Sequence, residues 1–235
     1  MIRNISIFWL RYIHPRLISL IATIGIVGLT GCLLILFVVA KLAEEVLEKE
    51  AFAFDTSFLL WLHQFANPSL DNFMLAITNL GNPTTVVVVA ALTLGTLWWR
   101  HYRVETYIFV LTCLGGLILN RGLKLFFSKP RPQLWTLLIS EKSFSFPSGH
   151  ALGSMVLYGF IAYILATHYP KFSQIIYTLA VILIVAIGIS RLYLGVHWPT
   201  DVIAGYGVGF LWLMICITML KLQRLRQGHS VNLKS

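Results

Sequence analysis

Apolar residues run almost unbroken from Leu17 to Ala40. Five further apolar runs follow, at Pro83–Trp99, Val104–Leu123, Ala151–Thr167, Ser173–Ile189 and Val202–Leu220. A helix that crosses the hydrocarbon core of a bilayer needs roughly 20 such residues. All six runs reach or approach that length, so the pattern predicts an all-α membrane bundle of six transmembrane helices. The first run is too long for the apolar region of a secretory signal, and no small-residue cleavage site follows it. It reads as a retained span. Ile5 to Ile13, with Arg11 inside it, predicts a short interfacial helix ahead of that span. Lys41 to Asn82 differs from the rest. It opens with the acidic stretch "KLAEEVLEKE" and continues into "FAFDTSFLLWLHQF". This segment predicts amphipathic helices on the membrane surface after the first span.

Composition agrees with a membrane setting. The chain has 235 residues, 57% hydrophobic and only 11% charged, against about a quarter charged in a soluble domain. A net charge of +9 would suggest nucleic acid or an acidic partner in a soluble protein. In a membrane protein it is first a question of sidedness. With the N-terminus inside, ten Lys and Arg residues fall on the cytoplasmic side, including Arg3, Arg11, Arg16, Arg100, Arg103 and Arg224. Lys41 to Asn82 carries two lysines against six acids. Both termini are therefore expected in the cytoplasm, with residues 1–16 and 221–235 as tails.

One region opposes that rule. The loop from Asn120 to Gly149 falls outside, yet it carries Arg121, Lys124, Lys129, Arg131 and Lys142, opposed only by Glu141. Arg191 falls on the same side. Cations placed against the topological preference point to a negatively charged substrate. Alternation of the spans brings this loop and the one after the fifth span to the same membrane face. The first contains "KLFFSKPRP" (Lys124–Pro132) and "PSGH" (Pro147–His150); the second is "SRLYLGVHWPTD" (Ser190–Asp201).

The residue types specify a chemistry. Lys124, Arg131 and Arg191 are three cations, and the arginines can grip phosphate oxygens in a bidentate manner. Ser148 and Gly149 stand where a helix begins. Free backbone N–H groups there form an anion cradle, and Gly149 lets backbone come close. His197 and Asp201 are four residues apart, so a helical turn faces one toward the other. A carboxylate on one imidazole nitrogen leaves the second nitrogen as a nucleophile. His150 then supplies a general acid or base. Together these parts describe phosphoryl transfer.

The three stretches resemble the signatures of the phosphatidic acid phosphatase type 2 superfamily, K-x6-R-P, P-S-G-H and S-R-x5-H-x3-D. All eleven fixed positions are present in order. The six-span layout with an amphipathic segment after the first span also resembles bacterial members, over roughly Lys41 to Leu220. The resemblance implies that Lys124, Arg131, Ser148, Gly149 and Arg191 bind the phosphate. It further implies that His197 attacks phosphorus, that Asp201 orients it, and that His150 protonates the leaving alkoxide and then activates water. The expected protein is one membrane-embedded domain, residues 1–235, hydrolysing a lipid phosphate monoester or diphosphate at the outer face. No metal or other cofactor is implied, nor nucleic acid or an obligate protein partner. Membrane lipids and a lipid phosphate are the expected partners. A lipid phosphotransferase with the same site, or a protein that only binds or translocates lipid phosphates, are the alternatives.

Blander readings exist for each residue. Lys124 and Arg131 alone could anchor a helix end at the interface, and Arg191 alone could snorkel. All of them on one face, at these spacings, are not explained that way. Cys32, Cys113 and Cys216 lie inside apolar runs and read as core residues. His14, His63, His101, His168 and His229 have no carboxylate or cysteine partner in register. Trp135, Phe144, Phe146, Tyr193 and Trp198 read mostly as an interfacial aromatic belt.

Overall fold

The computed structural model describes residues 25–48 and 53–232. The expected interfacial helix at Ile5–Ile13 lies outside those residues, as do positions 17–24 of the first expected span. Every regular element described is helical. The α-helices are α1 (Ile26–Leu47), α2 (Ala53–His63), α3 (Pro68–Asn79), α4 (Pro83–Trp99), α5 (Arg103–Phe127), α6 (Gly149–His168), α7 (Ser173–Tyr193) and α8 (Pro199–Asn232). A short 3-10 turn at Pro170–Phe172 joins α6 to α7.

Among the described residues, four helical segments are long and apolar enough to cross a membrane alone. They are Arg103–Phe127, Gly149–His168, Pro170–Tyr193 and Pro199–Leu225. The α3–α4 pair, bent by 43°, makes a fifth if it is one span. This differs from the six runs read from hydropathy. Pro83–Trp99 forms a helix of only 17 residues and reaches spanning length only together with α3. Residues 41–47 of the acidic stretch are the continuation of α1, where Lys41 pairs with Glu44 at 2.7 Å.

Helix ends follow local chemistry. Pro68 stands at the first position of α3, and Asn67 caps it by accepting from the Leu70 N–H at 3.0 Å. Helix α5 ends at Ser128, whose φ of 47° is left-handed. Pro130 and Pro132 then prevent its resumption. The helix therefore runs past the expected end at Leu123, and Lys124 sits in its last turn. Helix α7 likewise continues beyond Ile189 and carries Arg191 in its last turn.

Helix α6 is the central element. Inside the bundle, 56% of its spanning window is buried, against 17% for α7, which turns Ile175, Leu179 and Ile182 outward. Phe109, Leu157, Phe160, Cys216 and Leu220 form the core between α5, α6 and α8. Cys216 is thus a packing residue, and all three cysteines are free thiols. At one end of the bundle Arg224 grips Glu105 at 2.6 Å, tying α8 to the start of α5. The opposite end holds the α5–α6 and α7–α8 loops. There α8 touches the start of α6 so closely that a Cβ at Gly205 would lie 2.7 Å from the Ser148 carbonyl oxygen.

Candidate active site

Lys124 and Arg131 hold the same short stretch of backbone. Lys124 Nζ donates to the Phe144 carbonyl and lies 3.4 Å from Ser143 Oγ. Arg131 Nε donates to the Ser143 carbonyl at 2.7 Å, and Nη2 to the Phe144 carbonyl at 3.3 Å. These bonds set the course of the loop that leads through the cis Phe146–Pro147 peptide into "PSGH". Arg131 also spans to the second loop, where Nη1 donates to the Val196 carbonyl at 2.6 Å and lies 3.2 Å from His197 Nε2.

That last contact fixes the tautomer of His197. A guanidinium has only donors, so Nε2 must present its lone pair. Nδ1 therefore carries the proton and donates to Asp201 Oδ2 at 3.3 Å. Asp201 is fully buried. It accepts from the Trp198 N–H at 3.0 Å and from Ser145 Oγ, and it pairs with Lys129 at 3.0 Å. Burial pushes the His197 imidazole down to about 3, with Arg131 and Arg191 adding to the effect and Asp201 opposing it. The ring is neutral at ordinary pH.

Arg191 is 1% exposed. Its Nη1 donates to Thr78 Oγ1 at 2.8 Å and its Nη2 to the Glu141 carboxylate. Glu141 also approaches Arg131 Nη2 at 3.9 Å. Burial would raise the Glu141 carboxyl, but Arg191 and Arg131 overcome it and hold the group below the usual carboxylate range. Burial lowers Arg131, against Glu141 and Asp201.

Ser148 occupies the cap position of α6, yet its hydroxyl makes no cap bond. The sequence suggested a free backbone N–H here. Instead, the Ser148 N–H donates to the Asp201 carbonyl at 3.0 Å, because α8 is packed directly against this turn. What Ser148 leaves without a partner is its hydroxyl. Among the described residues, two buried side-chain polar atoms lack a hydrogen bond: Ser148 Oγ and Arg191 Nε. Gly149 faces Asn120, whose Oδ1 would sit 3.1 Å from a Cβ there. His150 is turned to Asn82, with Nε2 2.8 Å from Oδ1.

The expected residues thus gather at one end of the bundle through a chain of direct contacts. Several supports were not read from the sequence. Asp55 on α2 accepts from the Thr200 N–H at 3.0 Å and from its hydroxyl at 2.6 Å. Burial raises the Asp55 carboxyl, while Thr200 and Lys129 pull it back. Its only sequence signal is an acid in the first turn of an apolar helix. Ser145, Asn82 and Asn120 carry no such signal. Two aromatic readings change: Phe146 and Tyr193 are buried rather than in an interfacial belt, and Tyr193 donates to Asp71 at 2.6 Å. Trp135 stacks on His63 at 4.0 Å. The His168 ring packs against Tyr102. The His14 and His229 side chains lie outside the description.

A family model described as the PAP2 superfamily matches residues 105–225. The chain belongs to the PAP2 superfamily. A PAP2 relative, phosphatidylglycerophosphatase B of Bacillus subtilis (strain 168), is 34% identical over 147 residues, 61% of this chain and 72% of that one. Undecaprenyl-diphosphatase of Sulfolobus acidocaldarius is 28% identical over 183 residues, covering 75% and 84%. Among solved PAP2-like folds, the transmembrane PAP2 type phosphatidylglycerolphosphate phosphatase from Bacillus subtilis superposes with a TM-score of 0.71 at 29% identity. It covers 80% of this chain and 94% of that one. Aquifex aeolicus LpxE superposes with a TM-score of 0.60 at 24% identity, over 72% and 97%, and shares the fold. With PAP2 membership and these relatives, the chain is a phosphatase and a multi-pass membrane protein.

Proposed function

We propose that this protein hydrolyses a lipid phosphate monoester or diphosphate, of the phosphatidic acid, phosphatidylglycerophosphate or undecaprenyl diphosphate class, through a phosphohistidine. The observation that carries the reading is the pair of orphaned buried atoms, Ser148 Oγ and Arg191 Nε. Buried polar groups are nearly always satisfied. Both orphans belong to the set that the three signatures assign to phosphate.

Phosphate oxygens are held by Arg191, Arg131 and Lys124, with Ser148 and Gly149 donating further bonds. His197 Nε2 forms the bond to phosphorus as the bond to the lipid oxygen breaks, and His150 gives that oxygen its proton. Asp201 receives the Nδ1–H and stabilises the charge that develops on the ring. Water then attacks phosphorus, His150 takes its proton, the phosphorus–nitrogen bond breaks, and His197 returns to its neutral tautomer. The cations supply the charge stabilisation that a metal gives elsewhere.

The charge asymmetry supports a site on the periplasmic or extracellular face with both termini in the cytoplasm. On this reading residues 1–235 form one membrane-embedded unit, with six spans when Leu17–Ala40 is counted. Purified protein in detergent, given a panel of lipid phosphates with a strong chelator present, should release inorganic phosphate. No release from any of them would overturn the hydrolase, and release only after magnesium is restored would overturn its metal independence.

A further inference from the structure

The break between α3 and α4 wraps around His150. Asn82 begins α4 at a position where asparagine usually caps the helix through its side chain. Here it makes no such bond. Instead, Asn82 Nδ2 donates to Asn79 Oδ1 at 2.7 Å, and Asn82 Oδ1 faces His150 Nε2 at 2.8 Å. The neighbouring Gly81 packs closely against the ring, and a Cβ there would come within 2.7 Å of His150 Cδ2. The Leu80 carbonyl accepts from Tyr158 of the same α6 at 2.6 Å. A helix cap is thus forgone, and three consecutive residues meet the α6 face that carries His150.

We infer that Asn82 is a positioning residue that confines the proton exchange of His150 to Nδ1. The Asn79 contact orients the Asn82 amide, so its oxygen faces the ring and Nε2 must carry a proton. That proton stays on Nε2, donated to Asn82 Oδ1, in both charge states of the imidazole. Nδ1 is then the nitrogen that gives a proton to the leaving oxygen and takes one from water. The inference rests on His150 being the acid–base group of the reading above.

The test compares two leaving groups in single-turnover experiments. An alkoxide needs the proton and a nitrophenolate barely does. Asn82→Ala should lower the phosphorylation rate with an alkyl phosphate by roughly 30-fold, a part of what a general acid contributes, and at least tenfold less with nitrophenyl phosphate. Asn82→Asp, which restores an acceptor, should recover the alkyl-to-nitrophenyl ratio. In His150→Ala, adding Asn82→Ala should cost nothing further. Nitrogen-15 spectra of labelled imidazoles should assign the Nε2–H tautomer to the signal that His150→Ala removes. Equal losses for both substrates in Asn82→Ala, or an Nδ1–H tautomer, would overturn the inference and leave the phosphatase reading intact. No leaving-group selectivity in His150→Ala itself would instead overturn the acid assignment.

Discussion

Glu141 lays its carboxylate on the guanidinium of Arg191, one of the three cations assigned to the phosphate. It reaches Arg131 as well. On the proposed reading, an acid of the chain stands on two of the phosphate-binding cations, and the phosphoryl group displaces it. Glu141→Gln keeps the shape and removes the charge. The variant should bind orthovanadate, a mimic of five-coordinate phosphorus, roughly 10-fold more tightly, the scale of one charge-assisted contact. Inhibition curves measure this directly. Weaker inhibition by vanadate would show that Glu141 organises the arginines instead of competing for them.

Thr200 hangs on Asp55 by two hydrogen bonds. Asp55→Ala leaves the buried Thr200 N–H unsatisfied, at a cost of about 1–3 kcal/mol, and takes the acceptor from its hydroxyl, which then keeps only the bond from Lys129 Nζ at 3.0 Å. Thermal unfolding in detergent should shift clearly downward, and turnover should fall because Thr200 precedes Asp201. Asp55→Asn keeps one acceptor and should lose less. An alanine variant with wild-type melting would contradict this placement.

His197 is held near 3, well below the ordinary histidine value of about 6.5. Between those limits the unfolded chain binds a proton that the folded ring does not. Stability should therefore fall as pH drops from about 6.5 toward 3, at up to about 1.4 kcal/mol per pH unit from this residue. His197→Gln should show a shallower dependence of apparent melting temperature over that window. Identical slopes in the two proteins would mean that His197 titrates normally.

Sidedness can be read from Lys142, which is exposed in the α5–α6 loop. With Cys32, Cys113 and Cys216 replaced, Lys142→Cys should react with an impermeant thiol reagent in cells whose cytoplasmic membrane is intact. Labelling only after that membrane is broken would place the site inside.

The three signature stretches were legible because polar residues with fixed spacing stand out against apolar runs. Alternation of helices was enough to bring them to one face. Helix ends were less legible. Lys124 and Arg191 end the apolar runs, but backbone hydrogen bonding carries α5 and α7 through them, so both cations project from helices. The supports were invisible for a different reason. Asn82 meets His150 across 68 residues and Asp55 meets Thr200 across 145. Neither belongs to a local pattern, and each acts only through a packing that spacing does not encode. Phe146 and Tyr193 were misplaced in a belt because an aromatic residue beside a membrane loop looks the same whether it faces lipid or core.

The family match begins at Glu105, yet Asp55, Thr78 and Asn82 reach into the site from upstream of it. The stretch that the family model spans is shorter than the stretch that builds the proposed site. A fragment starting at α5 would retain every fixed signature position. It would leave Thr200, Arg191 and His150 each without a hydrogen-bond partner that the first half of the molecule supplies.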